Sequence, residues 1–432
     1  MSRSFFRFWL IFVPYIALLY GSLWLAIVIR YNNQTLNPAG HFWAFTWIFA
    51  IWLLVFFILG IFDIQTLRRY TSVVFNLVKA MVVNLLVAVI YFYFQPDLIL
   101  TPRRFLLIEV GLGFIFLLCW HLLVKYFVGN RITEGVYLFS SHNELTDLEA
   151  AIHDHAYLGY RVLGNLNEQS LFQANISKNV NVILPDDLNA RPAIAERLYQ
   201  LRTLGVRFYN HKDFYEQLLR RVYLSQINEI WFLENIDYRE KRVYNLVKRL
   251  VDLVLGFLGF LVFVVTLPLI ALLIKLTSQG PVFFFQERVG RHGKIFKVYK
   301  YRSMKQGTAT NTWTSVNDPR ITPFGKFLRI TRLDEIPQFI NLVIGNMSLV
   351  GPRPEQPHIV EELKRSVPFY DERHLVKPGI TGWAQLNVYA GSVEESKIKL
   401  QYDLYYIKHR SILFDLEIIA KTLYYIFTWN GR

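Results

Sequence analysis

Apolar residues run in unusually long blocks over the first 130 positions. Residues 8–29 and 41–62 contain no Asp, Glu, Lys or Arg, residues 73–94 contain only Lys79, and residues 105–124 only Glu109. Each block approaches the ~20 residues that carry a helix across a bilayer, so the pattern predicts a four-helix transmembrane domain over 1–130. The first block is too long for a removed signal peptide and lacks a small-residue cleavage site. Trp9, Tyr31, His41, Trp43 and Tyr126 fall near block ends, as interfacial belts do. With the N-terminus inside, the cytoplasmic side receives Arg3, Arg7, Arg68, Arg69, Lys79, Lys125 and Arg131, and the outside Arg30, Arg103 and Arg104. That balance favours an inward N-terminus, and an even number of crossings brings residue 131 back to the cytoplasm.

Residues 131–238 have a different rhythm. Short apolar runs, Gly135-Val-Tyr-Leu-Phe139 and Val180-Asn-Val-Ile-Leu184, alternate with helix-like stretches at 143–156 and 190–204. Such alternation predicts βαβ units and a parallel sheet. A dinucleotide site would need a G-x-G-x-x-G loop after the first strand, but that position reads Phe139-Ser-Ser-His-Asn-Glu144, with no glycine between Gly135 and Gly159. The expectation is a Rossmann-like domain lacking its glycine loop, serving packing or association, with a homodimer as one form this could take.

A fifth apolar block, residues 253–274 within a segment spanning 239–280, is flanked by Lys248, Arg249, Asp252 and Lys275. A full crossing would export everything that follows. From residue 275 to 332 there are twelve Lys or Arg against two acids, Glu287 and Asp318, and exporting so basic a stretch opposes the charge rule. Pro268 lacks the N–H that a helix interior needs. A re-entrant membrane helix, kinked or broken at Pro268, is therefore expected in place of a crossing.

Composition agrees. Of 432 residues, 53% are hydrophobic and 19% charged, which argues against disorder and against an ordinary soluble enzyme. The formal charge of +14, concentrated in that basic stretch, suits an anionic membrane surface or a phosphorylated substrate. The single cysteine, Cys119, excludes a disulfide framework and, among apolar neighbours, reads as a buried packing residue. No recognised nucleic-acid module is present, so no nucleic-acid partner is expected.

Residues 281–432 carry the dense polar phrases Lys297-Val-Tyr-Lys-Tyr-Arg-Ser-Met304, Asn317-Asp-Pro-Arg-Ile-Thr322, Leu328-Arg329, Arg332-Leu-Asp-Glu-Ile-Pro-Gln338, Gly345-Asn-Met-Ser-Leu-Val-Gly-Pro-Arg-Pro354, Lys377-Pro-Gly-Ile-Thr-Gly-Trp-Ala-Gln385 and Tyr402-Asp-Leu-Tyr-Tyr406. At these positions the chain closely resembles the polyprenyl-phosphate glycosylphosphotransferases, the large monotopic phosphoglycosyl transferases of bacteria, and among them the initiators of exopolysaccharide assembly. The resemblance covers essentially the whole chain: a membrane α/β protein with four N-terminal helices, a degenerate middle domain, a re-entrant helix and an α/β catalytic domain.

What the resemblance implies is transfer of a hexose 1-phosphate from a UDP-hexose to undecaprenyl phosphate among membrane lipids. The products are UMP and an undecaprenyl-diphosphate sugar, made at the cytoplasmic face of the bacterial inner membrane. The family's Asp-Glu dyad and Mg²⁺ map onto Asp334, as nucleophile and metal ligand, and Glu335, which would steer the lipid phosphate or take a proton. A carboxylate needs no base to be ionised at neutral pH, and basic side chains with a divalent ion neutralise charge on the transferring phosphoryl group. Alone, Asp-Glu followed by proline is an ordinary helix-start pattern.

Arg329 and Arg353 are candidates for bidentate phosphate binding, Arg353 being stiffened by its flanking prolines. Lys300 and Arg302 lie on an alternating strand and either bind diphosphate or lie against anionic lipid. Asp403 and Asp415 either help organise the metal or are structural ion-pair partners. Asp318-Pro-Arg320 reads as a turn positioning Arg320, with a direct ligand role as the alternative. Many relatives carry an acidic pair after the position of Met304, whereas here Lys305-Gln-Gly-Thr-Ala-Thr310 has none, and residues 306–314 read as a mobile loop. Two other classes remain as alternatives: a membrane sensor or scaffold with an inert C-terminal part, which the absent glycine loop and intact Leu333-Asp-Glu335 oppose, and a transporter or channel, which the scarcity of intramembrane charge opposes.

Overall fold

In the computed structural model the four apolar blocks form helices α1 (Arg3–Tyr31), α2 (Pro38–Ile58), α3 (Tyr70–Phe94) and α4 (Pro102–Val124). The structure describes residues 3–31, 38–62, 70–94, 102–124, 126, 134–139, 146–154, 159–173, 180–184, 192–224, 227–236, 241–305, 318–388 and 392–427. The chain divides into two units, Met1–Phe214 and Tyr215–Arg432.

In the first unit α1 packs against α4, and α3 against both α2 and α4. The interior is apolar (Leu19, Phe45, Trp52, Leu77), and so are exposed positions such as Trp24, Trp47, Leu86 and Ile115. Helices apolar on every side need lipid around them, which makes this a membrane protein. Some of the buried polar side chains meet one another: Ser22 Oγ donates to Glu109 Oε1 (2.8 Å), and Tyr15 Oη lies 3.2 Å from His121 Nε2. Cys119 is exposed, not buried as its neighbours imply, because lipid-facing and core-facing positions of such a helix are equally apolar.

The same unit holds a four-stranded parallel sheet of β1 (Glu134–Phe139), β2 (Tyr160–Leu166), β3 (Asn181–Leu184) and β4 (Arg207–Asn210), in the order β2-β1-β3-β4. Helices α5 (Thr146–Asp154), α6 (Glu168–Gln173) and α7 (Pro192–Leu201) make the crossovers. Phe139, Leu171, Val182 and Leu198 form its core. Residues 140–145, where a glycine loop would sit, lie outside the described residues.

The second unit is organised around α8 (Arg242–Thr277). Thirty-six residues at 1.5 Å per residue give about 54 Å, against ~30 Å for a hydrocarbon core. The break expected at Pro268 is absent, and the helix continues through it. The proline leaves the Val264 carbonyl without its helical N–H partner, and the packing of Phe263, Ile270 and Ile274 holds the helix on both sides of it. Asp252, Gly256, Phe263, Ile270 and Ile274 form one buried stripe, whereas Leu250, Phe257, Leu261, Val265, Leu269 and Leu272 are exposed. That stripe is in contact with the unit from end to end, from Asp252, which accepts from Ser348 Oγ, to Ile274, clustered with Tyr301 and Leu328.

After α8 come the antiparallel hairpin β5 (Phe283–Val289) and β6 (Ile295–Tyr301), then α9 (Pro323–Ile330), α10 (Phe339–Ile344), the parallel pair β7 (Ser348–Val350) and β8 (Gly379–Thr381), α11 (Val393–His409) and α12 (Ile412–Phe427). Val350, Val360, Trp383, Leu400, Leu404 and Ile418 form the main core. Val222, Trp231 and Phe232, which the sequence division at 238 groups with the middle segment, belong to this core.

Candidate active site

Thr322 caps α9 by accepting from the Gly325 N–H (2.9 Å), with Pro323 at the first helical position. Just beyond the helix, Arg332 adopts a left-handed conformation (φ 58°, ψ 14°). This costs a non-glycine residue about 1–2 kcal/mol and turns the chain sharply into a 3₁₀ turn, Leu333–Gln338, that carries Asp334 and Glu335. Partly buried Leu333 and Ile336 pack onto the cluster of Phe263, Ile270 and Ile274 from α8, which fixes the turn.

The pKa values of the two adjacent carboxylates are pushed in opposite directions. Glu335 Oε1 receives both Arg353 Nη2 (2.8 Å) and Lys300 Nζ (3.1 Å). Burial disfavours its ionisation, but Arg353, Lys300 and Arg332 outweigh that and hold its pKa well below the usual carboxylate range. Asp334 is 8% exposed and its Oδ1 has no hydrogen-bond partner. Burial, then the negative Glu335, push its pKa up to about 6 against the pull of Lys300, Arg329 and Arg332. Lys300, on β6 opposite Phe284, has its own pKa lowered by burial and partly restored by Glu335.

The structure thus gathers Asp334, Glu335, Lys300 and Arg353, with Arg329 close enough for Asp334 to feel its charge. Other candidates lie elsewhere. Arg302 turns to the end of α8, where Nη2 donates to the Ser278 carbonyl (2.8 Å) and to Ser278 Oγ (2.9 Å). Arg320 forms a fork with Asp318, Nε to Oδ1 at 2.8 Å and Nη2 to Oδ2 at 2.5 Å, inside the expected turn. Asp403 and Asp415 do not join Asp334: Asp403 is paired with Arg373 (2.9 Å) and Asp415 with Lys248 (2.7 Å). Among the described residues no three His, Cys, Asp or Glu side chains gather as a metal cage. Residues 306–314, read as a mobile loop, lie outside the described residues.

A divalent cation nonetheless fits the donor set. Asp334 Oδ1 is a buried carboxylate oxygen without a partner, and a magnesium ion is commonly held by one or two carboxylates with substrate phosphate oxygens completing its shell.

Sequence reasoning missed Arg332, whose left-handed backbone has no signature in a β-unbranched residue, and the buried cluster Arg288, Glu355, Arg373 and Lys399 behind Arg353. Those four are 111 positions apart at the extremes, and only folding brings them together.

Residues 243–429 match the bacterial sugar transferase family. The UDP-N-acetylgalactosamine-undecaprenyl-phosphate N-acetylgalactosaminephosphotransferase of Aeromonas hydrophila is 34% identical over 73% of this chain and 72% of its own length. The UDP-glucose:undecaprenyl-phosphate glucose-1-phosphate transferase of Escherichia coli K12 is 37% identical over 60% of this chain, the match spanning 57% of that protein. The exopolysaccharide production protein PSS of Rhizobium leguminosarum is 41% identical over 41% of this chain and 92% of its own length.

Proposed function

We propose a phosphoglycosyl transfer reaction for this chain, which belongs to the bacterial sugar transferase family: hexose 1-phosphate moves from a UDP-hexose to undecaprenyl phosphate, starting exopolysaccharide or related glycan assembly. The observation that carries it is the divided dyad, with Glu335 saturated by Arg353 and Lys300 while the buried Asp334 Oδ1 has no partner.

Asp334 is the nucleophile. Its ionised oxygen attacks the β-phosphorus of the donor, the bond from that phosphorus to the bridging oxygen breaks, and UMP departs with that oxygen. An oxygen of the lipid phosphate then attacks the aspartyl phosphosugar, and the carboxylate is released. A buried carboxylate short of hydrogen bonds is reactive because little solvation must be removed before attack. Glu335, held ionised, is a weak base; it is better suited to aligning Arg353 and Lys300 so that their remaining donors meet the diphosphate. Mg²⁺ held by Asp334 and the donor's phosphate oxygens would supply charge neutralisation on the phosphoryl group.

The working face is proposed to be the cytoplasmic face of the bacterial inner membrane. Because the second unit packs along all of α8, a full crossing would separate Leu328 and Tyr301 from Ser348 and Asp415, which touch opposite ends of one helix. A helix embedded from a single side avoids this and brings the dyad to the level of the lipid phosphate.

The test is UMP release by the purified protein with undecaprenyl phosphate, Mg²⁺ and a panel of UDP-hexoses, beside Asp334→Asn. Release with one donor that is lost in the variant supports the reaction and identifies the sugar. Release that survives Asp334→Asn removes Asp334 as nucleophile.

A further inference from the structure

Arg353 is held from behind as well as in front. Its guanidinium reaches Glu335, while its own carbonyl accepts from Arg373 Nη2 (2.8 Å). The next carbonyl, of Pro354, accepts from Arg288 Nη1 (3.0 Å), and the next, of Glu355, from the Val289 N–H (2.9 Å). One residue earlier, the Pro352 carbonyl accepts from the Gly379 N–H (2.9 Å). Four consecutive carbonyls are therefore fixed, two of them by arginine side chains in places where main-chain partners would ordinarily serve.

From this we infer that Arg373 is a positioning residue for the proposed transfer reaction, holding the Arg353 backbone so that its guanidinium stays on Glu335 and faces the donor phosphates. The inference rests on the reading of the dyad given above.

Arg373 is built for such a task. Its side chain is 1% exposed and all three guanidinium nitrogens are engaged: Nε and Nη2 with Asp403, Nη1 with the Tyr370 hydroxyl (2.5 Å), and Nη2 with the Arg353 carbonyl. Asp403 at 2% exposure answers its charge, so the buried cation is compensated before it reaches Arg353. Glu355 is anchored in parallel by Lys399 and by Arg288 (3.5 Å). A lysine at 373 would keep the charge and the pairing with Asp403, but as a single ammonium it has no fork to satisfy three directions at once. Flanking prolines stiffen the backbone at residues 352 and 354 without setting the orientation of the peptide between them, and that orientation is what Arg373 supplies.

A double-mutant cycle separates positioning from general support of the fold. Arg373→Lys is made in the wild type and in an Arg353→Ala background, with thermal unfolding to establish that each variant is folded. Tyr370→Phe, which removes one arm of the fork, is the milder companion. Loss of tenfold or more in kcat/KM for UMP release in the wild-type background, shrinking to less than twofold when Arg353 is already gone, is the expected result. Equal losses in both backgrounds overturn the inference. A readout independent of the reaction is the Arg353 guanidinium resonance, identified by its absence in Arg353→Lys; it should shift in Arg373→Lys, and an unchanged resonance overturns the positioning role. Should the wild type release no UMP from any UDP-hexose, the reaction fails as a reading, and the resonance still decides what Arg373 does.

Discussion

Lys248, in the second turn of α8, lies 2.7 Å from Asp415 on α12, whose carboxylate also accepts from the hydroxyls of Tyr244 (3.0 Å) and Tyr406 (2.9 Å). Lys248 and Tyr244 both belong to α8, so two of these three contacts tie it to α12, while Tyr406 brings in α11. Removing one partner of a buried pair strands the other at a cost of up to about 3–5 kcal/mol. Asp415→Asn should therefore lower the unfolding midpoint by several degrees, with the Mg²⁺ concentration for half-maximal UMP release within twofold of wild type. A changed Mg²⁺ requirement in a folded variant would return Asp415 to the cation.

Asp334 sets activity against stability. A carboxyl whose folded pKa of about 6 lies above its unfolded value favours the fold when protonated, and that contribution is lost as pH rises through 6. At pH 8 the ionised Asp334 thus costs on the order of 2–3 kcal/mol. Asp334→Asn removes the charge at nearly constant volume, so it should abolish UMP release by at least a thousandfold while raising the unfolding midpoint. Differential scanning calorimetry at pH 8 would show this, and a lower midpoint would contradict the assigned strain.

The same group sets the acid limb of the pH–rate profile. Attack needs the ionised form, so kcat/KM should rise with pH through about 6 in the free enzyme. Glu335 is the second cause of that elevated value, after burial. Glu335→Gln should thus move the limb to lower pH, even as it reduces the maximum rate by freeing Arg353 and Lys300. A limb that stays in place would mean that another group is being titrated.

Close approach between α8 and α10 depends on a missing side chain. A Cβ at Gly259 would come within 2.3 Å of the Phe339 ring, whereas one at Gly111 in α4 meets nothing within 4 Å. Gly259→Leu should destabilise the second unit by a few kcal/mol and impair UMP release through the adjoining 3₁₀ turn. Gly111→Ala should leave both within error, which thermal unfolding in detergent can establish.

Hydrophobic runs made the four N-terminal helices and the parallel sheet legible, because period and run length report burial directly. The phrase around Asp334 and Glu335 was equally legible, since its residues sit together in sequence as well as in space. The roles of Arg302, Asp403 and Asp415 were not. A charged residue on an apolar helix or strand has the same local pattern whether it meets a substrate or an opposite charge, and Arg373 lies 30 residues from its partner Asp403. Pro268 misled for a related reason. Its local cost is fixed by chemistry, but whether a helix absorbs that cost depends on the packing of Phe263, Ile270 and Ile274 around it.

The packing of Leu333 and Ile336 in the cluster of Phe263, Ile270 and Ile274 couples the dyad to α8. The turn that aims Asp334 rests on a helix whose opposite side is apolar and exposed, and which is proposed to lie in lipid. Lateral pressure and acyl-chain thickness thereby become determinants of active-site geometry. A detergent that changes how deeply α8 sits acts on the chemistry itself as well as on solubility, and trimming the helix away to obtain a water-soluble enzyme would remove the floor of its own catalytic turn.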